Sequence, residues 1–307
     1  MAILSSCGQS SSAASGDAAA GWRYTDARGT EIVLDEVPDR IVATADTAPV
    51  LMEYGITPVG IIGFSRIDES TLQAFDFDGI AHVSETDTDI NAEKLLSVDP
   101  DLVIDIWSSY NGGNFGSIWG DDIGRVEEVA PIAGVQITDG AQAALDDFRS
   151  LILGIGGTES TTVYSARRDD LRRLEEQVRE LVPQRADIDV AYVIPLQSGL
   201  DYAVPGWTPL GSLLEGLGVG FAQLDSADGF WASATWEEPG AFPADLLLVP
   251  PTFSDAPELT SPTFVRLPAV AAGQVAAVEL RSGYSLTGIT DQMRRFVDAY
   301  SAARSVA

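Results

Sequence analysis

The sequence predicts an α/β fold of two Rossmann-like lobes with mostly parallel sheets, joined by one long α-helix, with a cleft between the lobes. Three observations predict it. Apolar strands alternate with helices in each half of the chain. One long amphipathic segment separates the halves. A pattern near residue 91 recurs near residue 235. Continuous apolar strands between helices indicate a parallel sheet covered on both faces.

The elements follow in order. "GWRYTDARGTEIVLDEVPDRIVATAD" reads as a short hairpin with its turn at 25–29, then a buried strand over 40–45. Residues 48–54 form a helix that stops at Gly55, and "TPVGIIGF" is the next strand. "NAEKLLSVDPDLVID" is a short helix running into an apolar strand at 102–106, followed by the helix "GRVEEVA" and the strand "GVQIT". In "TESTTVYSARRDDLRRLEEQVRELVPQ", Val163, Leu171, Leu174, Val178 and Leu181 form one apolar stripe. Ser160 or a nearby Thr caps its start and Pro183 ends it. A helix of about 23 residues spans about 34 Å, enough for a strut between lobes. The alternation then restarts with the strand "DVAYVIP", the helix "TPLGSLLEGLG", the strand "ADLLLVPP", helical turns in "SPTFVRLPAVAAG", the strand "QVAAVEL" and a final helix, "ITDQMRRFVDAYSAA". The expected organisation is a tether at 1–21, a first lobe at 22–157, the interlobe helix at 158–183 and a second lobe at 184–307.

The repeat aligns "NAEKLLSVDPDLVI" with "TWEEPGAFPADLLL". Glu93 falls on Glu237 and Asp101 on Asp245, each pair 144 positions apart. Each Glu is expected in the first turn of a helix, where a carboxylate complements the helix dipole. Two similar lobes leave a cleft at the carboxyl ends of their strands, the usual place for ligands in open α/β sheets.

Composition narrows the function. The 307 residues carry a net charge of −28, which argues against nucleic acid as a partner. No run of 18 apolar residues is present to span a membrane. A single Cys and a single His exclude an intrachain disulfide, a thiolate metal cluster and a multi-histidine site. The chain holds no G-x-S-x-G elbow, no P-loop and no dinucleotide fingerprint. No catalytic residue, resident metal site or cofactor is therefore expected. The different-class alternative, a secreted lipoprotein hydrolase, lacks a recognisable nucleophile–base pair.

The lone Cys7 sits in "LSSCGQSSSAASGDAAAG", among small residues that offer it no apolar face. Leu4-Ser5-Ser6-Cys7-Gly8 resembles a bacterial lipobox, in which the Cys carries a diacylglycerol. Only Met1 to Ser6 precede it, fewer residues than the apolar run of about 7–15 that a signal peptide needs.

"DRIVATADTAPVLMEYGITPVGIIGF", "INAEKLLSVDPDLVID", the long helix, and "SPTFVRLPAVAAGQVAAVEL" followed by Tyr284 together resemble the periplasmic-binding proteins of iron-siderophore and cobalamin ABC importers, over roughly residues 22–302. The resemblance implies a two-lobed receptor that changes shape little on binding and performs no catalysis. It implies a monomer held on the outer face of the cell membrane only by a lipid on Cys7. Its cargo would be a ferric siderophore, with cobalamin or haem as the close alternative, and iron would enter only as part of the bound chelate. The resemblance also implies that Glu93 and Glu237 meet Arg residues on the two subunits of an ABC permease.

Side chains just beyond the strand ends are the ligand-facing candidates. In the first lobe these are Asp46, Thr47, Phe64, Arg66, Trp107 and Tyr110. In the second they are Trp207, Trp231, Phe253, Arg281 and Tyr284. In the family, aromatic contacts come from the positions of Phe64, Trp231 and Tyr284. The plain alternative for each aromatic is core packing, and for Arg66 and Arg281 surface ion pairing. "YNGGNFG", 110–116, is too rich in Gly and Asn for a core and suits a cleft rim. Arg66 and Arg281 would suit an anionic catecholate or carboxylate chelate. Aromatic walls would suit a neutral or cationic hydroxamate chelate. For haem, His82 could be an axial ligand, but its expected place is a strand end away from the cleft.

Overall fold

The structure, a computed structural model, describes residues 21–63, 72–86, 89–109, 113–280 and 283–306. It opens on the expected hairpin, β1 (Arg23–Thr25) paired antiparallel with β2 (Glu31–Val33). Asp26 makes the turn by accepting the N–H groups of Arg28 and Thr30, both at 3.0 Å.

The first large sheet takes its strands from the next stretch of chain. β3 (Ile41–Thr44) leads into α1 (Ala48–Glu53), followed by β4 (Gly60–Ile62), β5 (Ala81–His82) and α2 (Ala92–Ser97). β6 (Leu102–Ser108), β7 (Asn114–Phe115), α3 (Asp121–Glu127) and β8 (Ile132–Gln136) complete it. The parallel order is β5-β4-β3-β6-β8, and β7 pairs antiparallel with the carboxyl end of β6. Central strands are buried on both faces, which explains their unbroken apolar runs.

Two helices follow: α4 (Ala141–Gly154), which the sequence reading passed over, and α5 (Thr162–Leu181). Thr161 caps α5, its hydroxyl accepting from Tyr164 N at 3.0 Å. The helix has 20 residues rather than 23, because Pro183 sits in a 3-10 turn, Val182–Gln184, that ends it. Its buried stripe is Tyr164, Leu171, Leu174 and Val178. Val163 was expected on that stripe and is in phase with Leu174 and Leu181, but it lies in the first turn of the helix, where Tyr164 is the buried residue, and is 50% exposed.

The second sheet is less uniform than expected. β9 (Val190–Leu196) turns tightly into β10 (Gly199–Ala203), and then come α6 (Pro209–Gly216) and β11 (Trp231–Thr235). β12 (Leu246–Val249), α7 (Pro268–Ala271), β13 (Val275–Ala277) and α8 (Leu286–Ala302) end the chain. The order is β11-β10-β9-β12-β13, with β9, β12 and β13 parallel and the β9–β10–β11 edge antiparallel.

The repeat is visible at the strand starts. Asp101 Oδ2 accepts the N–H groups of Asp39 and Arg40, both at 3.0 Å, just before β3. Asp245 Oδ2 accepts Asp189 N at 3.0 Å, just before β9. Each Asp immediately precedes the strand that pairs there, Leu102 with Ile41 and Leu246 with Val190. The repeat fails one step upstream. Glu93 lies in the first turn of α2 as expected. The segment after β11 instead forms turns, with Glu238 N donating to Thr235 O at 3.0 Å. Glu237 is therefore not at a helix N-terminus, and the dipole argument does not apply to it.

α5 packs along α8, and one continuous core runs from the first sheet through Leu171, Leu174 and Val178 to Ile289, Met293 and Phe296 and on into the second sheet. Arg294 of α8 pairs with Asp170 of α5, and Arg167 Nη1 lies 3.6 Å from Asp291. The junction turns on Glu53 at the end of α1. This side chain is fully buried. Its Oε2 accepts Leu286 N at 2.8 Å and its Oε1 accepts Thr287 N at 2.7 Å, in the first turn of α8. Its backbone carbonyl also accepts the hydroxyl of Thr161, the α5 cap. Burial pushes the Glu53 carboxyl pKa up, while its bonds to Thr287 and Leu286 oppose that rise.

Glu53→Ala leaves two buried N–H groups without acceptors. It is expected to lower unfolding free energy by about 2–4 kcal/mol, read from urea denaturation. Glu53→Gln, which keeps one acceptor oxygen, is expected to lose less.

Candidate ligand cleft

Between the two sheets, at the carboxyl ends of β3, β6 and β8, lies a cleft of about 390 Å³. Asp46, Ile106, Phe115 and Trp119 contribute from the first-sheet side. Trp207, Phe230, Trp231 and Tyr284 contribute from the other. The second wall is aromatic and tightly pinned. Trp207 meets Trp231 edge-on at 5.3 Å and Phe230 at 5.8 Å, and its Nε1 donates to Phe230 O at 2.8 Å. Asp228 Oδ1 accepts Phe230 N at 2.7 Å and Trp231 N at 2.9 Å, and these bonds hold its pKa down. Tyr284 is 4% exposed, and its ring packs on Phe148 at 5.8 Å. Burial raises its hydroxyl pKa.

A side pocket of about 240 Å³ continues behind Trp207 and Trp231, lined by Phe253, Ile194 and the buried Glu279. The structure thus brings Asp46, Trp207, Trp231 and Tyr284 to one cleft and Phe253 to its annex.

Two candidates stand elsewhere. Thr47 is fully buried, where its hydroxyl donates to Ile104 O at 2.9 Å and accepts Thr44 N at 3.0 Å. It closes the β3–α1 turn and does not face the cleft. Trp107 lies on the opposite face of β6 from the cleft residue Ile106, as strand alternation requires. It packs on Phe115 at 4.9 Å in the core below the sheet. Phe64, Arg66, Tyr110 and Arg281, together with Cys7, lie outside the described residues. Glu93 and Glu237 are both exposed on the surface. His82 Nδ1 lies 3.4 Å from Glu85 on the edge strand β5 and does not line the cleft.

Sequence reasoning missed Trp119 and Phe230. Trp119 is 52% exposed, and its Nε1 donates to Gly116 O at 3.1 Å. It sits three residues beyond the Gly- and Asn-rich stretch marked as rim, so a wider window would have included it. Asp105 was also missed, because it reads as an interruption in an apolar strand. It is fully buried beneath the rim. Its Oδ2 accepts Ser117 N at 2.8 Å and Ile118 N at 3.1 Å. Its Oδ1 accepts Ile106 N at 2.8 Å and the Thr44 hydroxyl at 3.1 Å. Desolvation, with Asp46 nearby, pushes its pKa up to about 7 despite these donors.

Among the described residues no group of three or more His, Cys, Asp or Glu is arranged to hold a metal ion, and no helix is long and apolar enough to cross a membrane.

No protein-family model matches the sequence, and neither does any curated protein. Solved structures do match. DesE, a ferric-siderophore receptor protein from Streptomyces coelicolor, superposes with a TM-score of 0.82 at 22% identity, over 93% of this chain and 100% of its own. FhuD from Vibrio cholerae, solved with Fe3+–Desferal bound, gives 0.68 at 18% identity, over 86% of this chain and 98% of its own. FhuD2 from Staphylococcus aureus, with bound ferrioxamine B, gives 0.63 at 17% identity, over 85% and 99%. The chain therefore has the two-lobed α/β fold of these siderophore-binding proteins.

Asp105, buried beneath the rim, gives the fold a pH dependence. Its folded pKa of about 7 exceeds the unfolded value of about 3.9. Between those values the folded protein binds more protons than the unfolded chain, so stability falls as pH rises through this window. Urea denaturation at about pH 5 and about pH 7.5 is expected to show that fall in the wild type and a smaller one in Asp105→Asn.

Proposed function

We propose that this protein is the extracytoplasmic substrate-binding component of an ABC importer, capturing a ferric siderophore in the cleft and delivering it to a permease. The observation that carries this reading is the aromatic cleft at the strand ends, set in a fold shared with ferric-siderophore receptors. Flat faces of Trp119, Trp207, Trp231 and Tyr284 suit the organic shell of a chelate. Asp46 is the one charged side chain among the described residues that line the cleft. A carboxylate with aromatic walls favours a neutral or cationic chelate of the hydroxamate kind over an anionic one, because like charge near Asp46 would be repelled. Iron is cargo in this scheme, and the protein needs no cofactor and no catalytic group of its own.

The exposed carboxylates of Glu93 and Glu237 support the delivery step: one from each lobe would meet a two-subunit permease, and their charge would set register and encounter rate. The receptor works as a monomer. Two acyl chains on Cys7 would hold it at the outer face of the membrane, where a single chain would not.

Titration with a ferric hydroxamate is expected to quench tryptophan fluorescence saturably. Trp231→Ala should weaken that binding by about 1–2 kcal/mol through lost contact area. An unquenched signal, or unchanged affinity in the variant, would place the chelate elsewhere. The double variant Glu93→Ala with Glu237→Ala is expected to keep wild-type affinity but lose chelate uptake in cells. Normal uptake would remove both residues from docking.

A further inference from the structure

A second cavity, about 450 Å³, lies where α1, α4, α5 and the start of α8 converge, and Tyr284 is a wall of both this cavity and the cleft. Its floor is apolar and partly aromatic, with Phe148, Tyr284 and Leu286. Its rim carries Arg149, Arg168 and Arg172.

The charges around it divide unequally once their partners are counted. Glu53 spends both carboxylate oxygens on the N-terminus of α8. Glu159 is held by Arg149 through Nε at 2.7 Å and Nη2 at 2.9 Å, and by the Tyr164 hydroxyl at 2.7 Å. Those bonds, that to Arg149 first, lower its pKa to about 2, so it stays ionised and matched to Arg149. Asp146 is exposed and accepts from Gln142 at 3.2 Å. Arg172 is exposed and reaches Asp169 at 3.4 Å. Arg168 differs. It is half-buried at the cavity wall, and among the described residues it makes neither an ion pair nor a side-chain hydrogen bond. Its charge reaches Glu159 and Tyr164 only at longer range. A guanidinium offers five donors in a planar fork that fits a carboxylate. Partly open to solvent, that fork has no protein acceptor among the described residues, in a chain that otherwise has acid in excess.

We propose that this cavity is a second binding site, for a small aromatic carboxylate. The carboxylate would take the Arg168 fork, with Arg172 alongside, and the ring would lie on the Phe148–Tyr284 floor. A small hydrated inorganic anion would satisfy the guanidinium but leave that floor uncovered. The site stands apart from the siderophore cleft and does not rest on the cleft's proposed function.

Benzoate is the probe, and calorimetry on the full chain without siderophore is the measurement. Saturable binding with one site per chain is expected. Arg168→Ala should weaken it about tenfold or more, the loss of a charge-assisted hydrogen bond. Arg173→Ala serves as the control, because Arg173 pairs with Asp170 and does not line the cavity, and it should bind as the parent does. If circular dichroism shows Arg168→Ala misfolded, Arg168→Lys takes its place with weakening again expected, since the fork is gone. The proposal is overturned by any of four results: no saturable benzoate binding, unchanged affinity in the Arg168 variant, sulfate binding as tightly as benzoate, or displacement of benzoate by a ferric hydroxamate in direct competition for the cleft. None of these except the last involves the siderophore, and failure here leaves the transport reading standing.

Discussion

Everything at the junction of the two sheets depends on where Glu53 ends α1. From one residue the chain holds two helices that begin more than a hundred positions later. The side chain takes the first N–H groups of α8, and the main-chain carbonyl takes the hydroxyl that caps α5. The N-terminal end of α8 carries partial positive charge, so a carboxylate there is matched by dipole as well as by hydrogen bonds. Burial works against the charge, and the raised pKa records that opposition. With α8 fixed, Tyr284, just before its cap Ser285, is fixed as well. The cleft wall is thus positioned by an interaction outside the cleft.

The two sheets solve a common problem in the same way. A parallel strand needs its neighbour to start level with it, and its first N–H groups need an acceptor. Asp101 and Asp245 supply that acceptor at equivalent places, on the strand that enters beside the first one of each sheet. The duplicated Asp is therefore a register device. The aligned Glu pair has no such common structural task, since Glu93 begins a helix and Glu237 lies in a turn.

What the sequence made legible follows the physics of burial. Parallel strands buried on both faces announce themselves as apolar runs, and the α5 stripe by its period. The α4 helix was passed over although Ala141, Ala144, Leu145, Phe148 and Leu151 keep helical spacing. It starts at Gly140 with no capping side chain and has no acid in its first turn, so the usual opening signal is missing. The antiparallel edge was obscured because β11 alternates buried and exposed residues and so shows no apolar run. Candidate cleft residues chosen as "after a strand" line the cleft where the chain leaves the sheet at once, as at Asp46. Trp107 does not line it, because β6 runs on to Ser108 and alternation turns the ring to the other face. Asp105 and Glu279 could not be chosen by any rule that sends charge to the surface.

The strut has a further consequence. α5 is packed along α8 and shares one unbroken core with both sheets. Swinging one sheet toward the other would tear that packing open, and interiors this dense resist continuous deformation. The cleft is thus closer to a fixed gauge than to a jaw. A fixed gauge cannot tighten around a molecule that is too small, so an undersized ligand would leave wall atoms without contact partners and forfeit their dispersion energy. One that is too large meets rings already held by hydrogen bonds to the backbone. Any selectivity by size would then come from the spacing of the lobes themselves, set when the chain folds rather than when a ligand arrives.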